Sequence, residues 1–381
     1  MALIIRTLLL TTLALFTLEV GYSENYPVFD SPKILAIMDY GGDFIYNEQY
    51  DSAEYVIDSL EVLIPDHPLI FMMRAFNVSW KDQPIRTTSI YFPEHRAYLD
   101  TCLMMSEKLL DKNPKNLEAK FFKMSVHGLY AEYYAKEGSY MKAMGHAQKT
   151  YGLIKETMEK TDESSELYFL AGLYNYFREK YPERHPVYKP LLWFFKSGDI
   201  KLGLEQLDKA VYDSKIVKIE ACLYASYIYL RYENNLDKAG QYLQKINAEY
   251  PRNKYFKAKY LECLVRQKKY DEALPLIDSL KQSEVPYYQL CGYTYEAIYT
   301  ETKLHEIEKA EELYLKAIEN GINCVRRGEY YKSLAYLGLG RITESRNDHQ
   351  IAAAYYNKAI EEDDDPRVSA EARERLKRLN L

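Results

Sequence analysis

Glycine, proline and cysteine are all scarce in this sequence, and an excess of positive charge is missing. Among 381 residues there are only 16 Gly and 14 Pro, which is few for a protein rich in β-turns. The net charge of −6 argues against a nucleic-acid partner. Five widely spaced cysteines do not form a disulfide framework, and each is predicted to be a small buried helix residue, with one disulfide left open. They are Cys102, Cys222, Cys263, Cys291 and Cys324.

Short motifs of catalysis and metal binding are missing as well. The sequence has no HExxH, GxxxxGK[ST], GxGxxG or GxSxG. Its seven His are scattered, none three or four residues from another, so we predict each at the surface or in the second layer. We therefore predict that the protein is not an enzyme and that it has neither a cofactor nor a metal site. The acidic run 361–365 is either a cation or basic-partner site or a solvated loop, and Asn77-Val78-Ser79 is either a glycosylation site or a chance match.

Residues 1–23 follow the order of a secretory signal peptide. Arg6 precedes the apolar run 7–18, and the small residues Gly21 and Ser23 come next, with cleavage expected near Ser23. The run is shorter than the roughly 20 apolar residues of a membrane span, and no Cys follows it as a lipid-anchor site. We predict an exported protein, periplasmic or envelope-associated if bacterial, with no integral membrane span in the mature chain. An uncleaved N-terminal anchor is the alternative.

A helical repeat fills the rest of the chain. Stretches 236–251 and 270–286 share a large apolar residue, an Ala three residues later and apolar residues four and seven after that Ala. Each unit of this kind is predicted to be two antiparallel helices that bury an apolar stripe against their neighbours. The same phase occurs at eight small residues, in steps of 49, 41, 60, 36, 34, 37 and 42 residues. These are Ala53, Cys102, Ala143, Gly203, Ala239, Ala273, Ala310 and Ala352.

This pattern resembles the tetratricopeptide repeat, W-x2-L-G-x2-Y…A-x3-F…P. Tyr336, Leu339, Gly340 and Thr343 have the spacing of its first helix, with Tyr for Trp and Thr for Tyr. The resemblance covers about residues 30–381. It implies an all-α, right-handed α-solenoid of about eight helix hairpins over residues 24–381, whose first helices line a concave groove and bind a protein or peptide without catalysis. Residues 366–381 are predicted to form a capping helix.

One segment interrupts the repeats. Residues 181–197 contain three prolines and then the apolar run 191–195. The surrounding stretch 170–207 also resembles part of the tetratricopeptide-repeat family 39 and inclusion-body-clearance proteins, which are intracellular and associate with organelles. The apolar run either fills the interior of the solenoid or exposes a partner patch formed by Trp193, Phe194 and Phe195.

Tyrosine is the one abundant residue, with 39 copies. Most are expected to replace Phe or Trp in the core, while some on first helices should face the groove as anchors for a partner. The helical phase selects Tyr176, Tyr224, Arg231, Tyr232, Tyr255, Arg266 and Tyr293. Such a surface would hold an extended peptide or, as the alternative, a glycan. A groove rich in Arg and Asn would favour a peptide, whereas exposed Tyr and Trp faces would favour a glycan.

Overall fold

The computed structural model describes residues 28–160, 163–324, 327–362 and 365–379, and all regular secondary structure in these ranges is helical. The signal peptide predicted at residues 1–23 lies outside them. None of the described helices is both long and apolar enough to cross a membrane. Seventeen α-helices are described: α1 Pro32–Tyr46, α2 Tyr50–Leu63, α3 Pro68–Trp80, α4 Phe92–Lys112, α5 Leu117–Lys136, α6 Tyr140–Thr157, α7 Glu166–Arg184, α8 Ile200–Asp213, α9 Lys218–Arg231, α10 Leu236–Glu249, α11 Lys254–Arg266, α12 Tyr270–Lys281, α13 Pro286–Tyr299, α14 Ile307–Gly321, α15 Glu329–Ser345, α16 His349–Glu361 and α17 Pro366–Arg378.

Sixteen of these helices pair into eight consecutive hairpins, α1–α2 to α15–α16, and α17 packs on the last of them. All eight small residues of the sequence pattern lie on the second helices of these hairpins and are buried. Since small side chains let helix axes approach closely, each marks the place where a hairpin closes. The predicted solenoid of about eight hairpins with a C-terminal capping helix is therefore confirmed.

The turns within the hairpins share a backbone conformation. In six of them a residue with φ between 53° and 72° stops the first helix, because the left-handed conformation cannot continue an α-helix. Asn and Gly adopt this conformation most readily, and they supply three of the six. The six residues are Glu48, Gly138, Asn234, Lys268, His305 and Asn347.

Glycines of α15 let two tyrosine rings reach the helix axis. A Cβ atom on Gly338 would lie 2.2 Å from the ring of Tyr314, and one on Gly340 would lie 2.3 Å from the ring of Tyr356. Both rings are fully buried. Each glycine of α15 thus leaves room for a tyrosine ring on the neighbouring helix, α14 or α16.

Successive turns of the solenoid touch one another. At the end of α1, Asp43 accepts a hydrogen bond of 2.8 Å from the Tyr250 hydroxyl, and Glu48 pairs with Lys254 at 2.5 Å. Tyr250 and Lys254 flank the start of α11, five hairpins later. The concave side of the first hairpin is therefore covered by later hairpins.

The same closure recurs further along the chain. Asp82, after α3, pairs with Arg327, which precedes α15. Arg231, at the end of α9, pairs with Asp365 at the start of α17 at 3.1 Å. The ends of first helices thus meet elements four to six hairpins later, and these contacts narrow the groove between the first helices into an inner cavity.

The segment after α7 differs in part from its prediction. Helix α7 continues through Pro182 to Arg184, so the helix occupies the start of the predicted insertion, and a 3₁₀ segment follows at Pro186–Phe194. Phe195 is buried against Met144 and Tyr188, whereas Trp193 is 75% exposed. The side chain of Phe194 is outside the described set. The apolar run is thus divided between an interior contact and a surface residue.

Candidate binding cavity

The inner cavity has a volume of about 1130 Å³ and is lined mainly by the first helices α1, α3, α5, α7 and α9, together with α6. This volume is slightly above the roughly 300–1,000 Å³ that is usual for ligand pockets in proteins. The residues around it combine methionine, leucine and isoleucine with many aromatic rings, and charged side chains of both signs also enter the wall.

A tryptophan anchors one side of the cavity. The Trp80 ring centroid is 5.2 Å from that of Tyr46, 5.9 Å from that of Tyr255 and 5.1 Å from that of Phe256, all at steep interplanar angles. Trp80 is only 7% exposed, and among the described residues its Nε1–H has no hydrogen-bond acceptor. A buried donor of this kind favours a bound group that carries an acceptor oxygen.

A second aromatic group lies on the side formed by α7 and the segment after it. Phe177 contacts Tyr232 at 5.5 Å and Tyr181 contacts Tyr188 at 5.3 Å between ring centroids. The Arg184 guanidinium lies 3.7 Å from the centre of the Tyr232 ring. This cation–π contact fixes the tyrosine at the wall of the cavity.

Two tyrosine–carboxylate pairs cross the interior. The Tyr224 hydroxyl donates to Glu132 at 2.6 Å, and the Tyr46 hydroxyl donates to Glu220 at 2.5 Å. Burial raises the pKa of Glu220. Burial alone would also raise the pKa of Glu132, but the ammonium of Lys136 outweighs it and lowers that pKa. Glu132 is therefore a fixed negative charge at neutral pH.

The charged residues of the whole wall are nearly balanced in sign. Among the described residues, seven cationic side chains line the cavity: Arg86, Lys136, Arg178, Lys215, Lys218, Arg231 and Lys259. Eight carboxylates also line it: Asp39, Asp43, Glu132, Asp213, Glu220, Glu249, Glu262 and Glu329. Burial and the nearby Asp43 raise the pKa of Asp39. A wall with this balance offers no net attraction to a polyanion.

Four of the seven predicted groove residues line the cavity: Tyr224, Arg231, Tyr232 and Tyr255. The other three do not. Tyr176 has no exposed surface, and its hydroxyl donates to Glu233 at 2.5 Å, so its predicted place in the groove is wrong. Arg266 donates to the Leu230 carbonyl at 2.5 Å, and Tyr293 lies under Lys316 at 4.6 Å. In these three cases the helical phase alone does not show which neighbour covers the side chain.

Arg231 lines the cavity but is also part of the core. It is 6% exposed, its Nε lies 2.6 Å from Glu262, and its Nη1 lies 3.1 Å from Asp365. Its guanidinium stacks 3.5 Å from the centre of the Tyr330 ring. Burial alone would raise the pKa of Asp365, but Arg367 and Arg231 outweigh it and lower that pKa to about 2. The acidic run thus supplies a buried ion pair through Asp365, and Arg231 joins α9 to α11, α15 and α17.

Other residues also lie deeper than the sequence predicts. His95 and His127 are 1% and 2% exposed, so their predicted surface or second-layer positions are wrong. Asn77 is 2% exposed and donates to the Tyr50 carbonyl, so the side chain of the glycosylation motif lies in the core of the folded chain. All five cysteines are buried free thiols, and burial raises the pKa of each.

The sequence pattern does not select Tyr46, Trp80 or Glu132, all of which line the cavity. Trp80 ends a first helix, at a place where the repeat period is interrupted by residues 81–91. One of only two tryptophans at such an interruption is a signal that could have selected it. Tyr46 and Glu132 carry no such signal, because their partners come from distant hairpins.

Comparison with protein families and with curated proteins gives no match. Solved structures do align with the chain. The yeast Tom70 structure aligns over 91% of this chain and 95% of its own at 15% identity, with a TM-score of 0.28. A tetratricopeptide repeat protein from Parabacteroides merdae aligns over 80% and 98% at 17% identity, with a TM-score of 0.34. The human IFIT1 dimer with PPP-AAAA aligns over 87% and 73% at 14% identity, with a TM-score of 0.43.

The chain has a tetratricopeptide-repeat fold. Its own hairpins carry this conclusion: eight in sequence, each with the expected small residue buried on its second helix. The overall superposition on the solved structures is loose, and it carries no argument about what the cavity holds.

Proposed function

We propose that this protein is an exported, non-catalytic tetratricopeptide-repeat scaffold that binds a short extended peptide in its inner cavity. The observation that carries the proposal is the cavity itself, about 1130 Å³ surrounded by the first helices of several hairpins. The order of residues 1–23 supports export, as argued above. Binding without catalysis is typical of repeat proteins, whose curved inner surface recognises a partner.

The wall offers each kind of contact that a peptide needs. Rings such as Tyr255 and Tyr232 provide apolar faces for side chains, and the Trp80 Nε1–H provides a donor for a backbone carbonyl. The charged Glu132 can accept from a backbone or side-chain N–H. Aromatic residues that are held in place by their neighbours lose little entropy on binding, which makes them efficient anchors.

A glycan is the second candidate, because the wall is aromatic and contains no Asn among the described lining residues. Tyr227 presents an aromatic side chain that is 43% exposed at the cavity, and it is the best platform for a sugar ring. An RNA ligand, as in the IFIT1 structure with PPP-AAAA, is not favoured here. The eight carboxylates and seven cations of the wall would leave a phosphate chain without net compensation.

Filling the cavity tests the proposal. Gly128 of α5 lines the cavity, and a Cβ atom there would meet nothing within 4 Å. Gly145 of α6 is exposed and equally open, so it provides a matched control for the same substitution. Peptides should be selected from a random decapeptide library on the immobilised chain and their affinities measured by isothermal titration calorimetry.

We expect Gly128→Trp to abolish binding of the selected peptides and Gly145→Trp to leave their affinity unchanged. Equal binding by both variants would contradict a peptide in the cavity. Failure to select any peptide, together with binding on a glycan array that Gly128→Trp removes, would assign the cavity to sugars. Removal by Gly128→Trp of binding to a single-stranded oligonucleotide would assign it to nucleic acid.

A further inference from the structure

Two histidines that are 19 residues apart in sequence meet inside the third hairpin. His127 of α5 and His146 of α6 face each other with their Nδ1 atoms 3.2 Å apart and their ring centroids 5.2 Å apart. Neither residue lines the cavity described above. The turn at Gly138 folds α6 back on α5, which brings the two rings to one level of the hairpin.

The distance between the two nitrogens matches that of two ligands on one metal ion. Imidazole nitrogens bind zinc at about 2.0–2.1 Å in tetrahedral geometry, which places two of them about 3.3 Å apart. In the present arrangement one Nδ1 donates a hydrogen bond to the other. A metal ion would take the place of that proton between the rings. The donor ring would then carry its proton on Nε2, so that the pair releases no proton when the ion binds.

The surroundings hold the rings in this orientation and leave an approach. The His146 ring lies 5.5 Å from that of Tyr134 at an interplanar angle of 29°, and 5.1 Å from that of Tyr130. His127 is 2% exposed, whereas His146 is half-buried, so solvent reaches the pair from one side. Burial lowers the pKa of both histidines, which leaves both rings neutral, the form that binds metals.

We propose that His127 and His146 form a two-histidine site for a divalent transition-metal ion with a preference for imidazole, such as copper(II) or zinc(II). No third His, Cys, Asp or Glu completes a set of three ligands in the part of the chain that the structure describes, so water would fill the remaining positions of a bound ion. Among divalent ions, copper(II) binds such nitrogen sites most tightly. An ion held by both helices would clamp α5 to α6.

The test is titration of the full, untagged chain with ZnCl2 and with CuCl2 after treatment with EDTA, followed by calorimetry. His146→Gln is the main variant because its ring is half-buried, and His127→Gln is the second. His349, exposed at the start of α16, provides the matched control His349→Gln. Circular dichroism of each variant checks that the helices are intact, and electron paramagnetic resonance of the copper-loaded chain counts coordinated nitrogens.

We expect one ion per chain, two imidazole nitrogens in the copper spectrum, and affinity reduced at least about tenfold by loss of either ligand. His349→Gln should bind as the wild type does. The proposal is overturned if His146→Gln, still folded, binds zinc and copper with unchanged affinity. It is equally overturned if the wild-type chain binds neither ion, or if the copper spectrum shows a single nitrogen ligand.

Discussion

The two halves of this solenoid differ in how closely they follow the repeat. From α9 to α14 the helices have 12 to 15 residues, whereas α4 to α7 have 18 to 21. The longer helices, the connection at 81–91 and the segment after α7 supply much of the cavity wall. The regular half packs hairpin on hairpin and reaches the cavity mainly through its first helices α9 and α11. Departure from the repeat thus enlarges the wall of the cavity, while the regular first helices complete it.

The largest effect should come from Arg231, where the regular half meets α17. Replacing it with Ala leaves the buried Glu262 without its ion-pair partner and leaves Asp365 with Arg367 alone. Removal of one partner of a buried pair costs about 3–5 kcal/mol, so we expect the free energy of unfolding in urea to fall by that amount. Arg266→Ala is the control and should cost less, because it removes hydrogen bonds from a half-exposed residue. Similar losses for both would contradict a special role of Arg231.

A matched pair of glycine substitutions compares the two halves directly. Where α15 packs on α14 of the regular half, Gly338→Ala places a Cβ atom 2.2 Å from the Tyr314 ring, and we expect a loss of about 3 kcal/mol. In the irregular half, Gly128→Ala places its Cβ atom in open space within α5. There the higher helix propensity of Ala should stabilise the chain by about 0.5–1 kcal/mol. Thermal unfolding of both variants measures the difference, and a change of the same sign in both would refute the comparison.

The sequence predicts the fold well because the contacts that define a repeat lie within one hairpin or between neighbouring hairpins. Ala273 and Ala310 take their positions from neighbours within one hairpin, and the spacing of the pattern is enough to place them. The cavity depends instead on contacts between turns of the superhelix, such as Tyr46 with Glu220, 174 residues apart. No periodicity records such a contact. For the same reason the sequence wrongly predicts Tyr176 in the groove. The helical phase gives the face of a helix on which a side chain lies, but not which neighbouring element covers that face.

A pH-dependent loss of stability should arise in the irregular half. Burial, together with His146, Lys149 and Lys123, lowers the pKa of His127 to about 4, with Glu107 opposing, while the unfolded chain keeps the ordinary value of 6.5. The unfolded state therefore binds more protons between these two values. The contribution is complete above pH 6.5 and is lost as the pH falls towards 4. Urea unfolding of His127→Gln should show a shallower pH dependence than the wild type, and identical slopes would contradict this account.

The smallest change in stability is expected from substitution of Trp193. The same substitution gives the most direct test of the cavity, because it leaves Trp80 as the only tryptophan. Trp193 and Trp80 are the two tryptophans of the chain, 75% and 7% exposed. Trp193→Phe should alter stability by less than about 0.5 kcal/mol, as surface substitutions do.

The Trp193→Phe variant keeps Trp80 as its sole indole, whose emission should be blue-shifted and poorly quenched by iodide. Trp80→Phe should leave a red-shifted, readily quenched emission from Trp193. A selected peptide should then change the fluorescence of Trp193→Phe and not that of Trp80→Phe, and the opposite result would place the binding surface at the segment after α7.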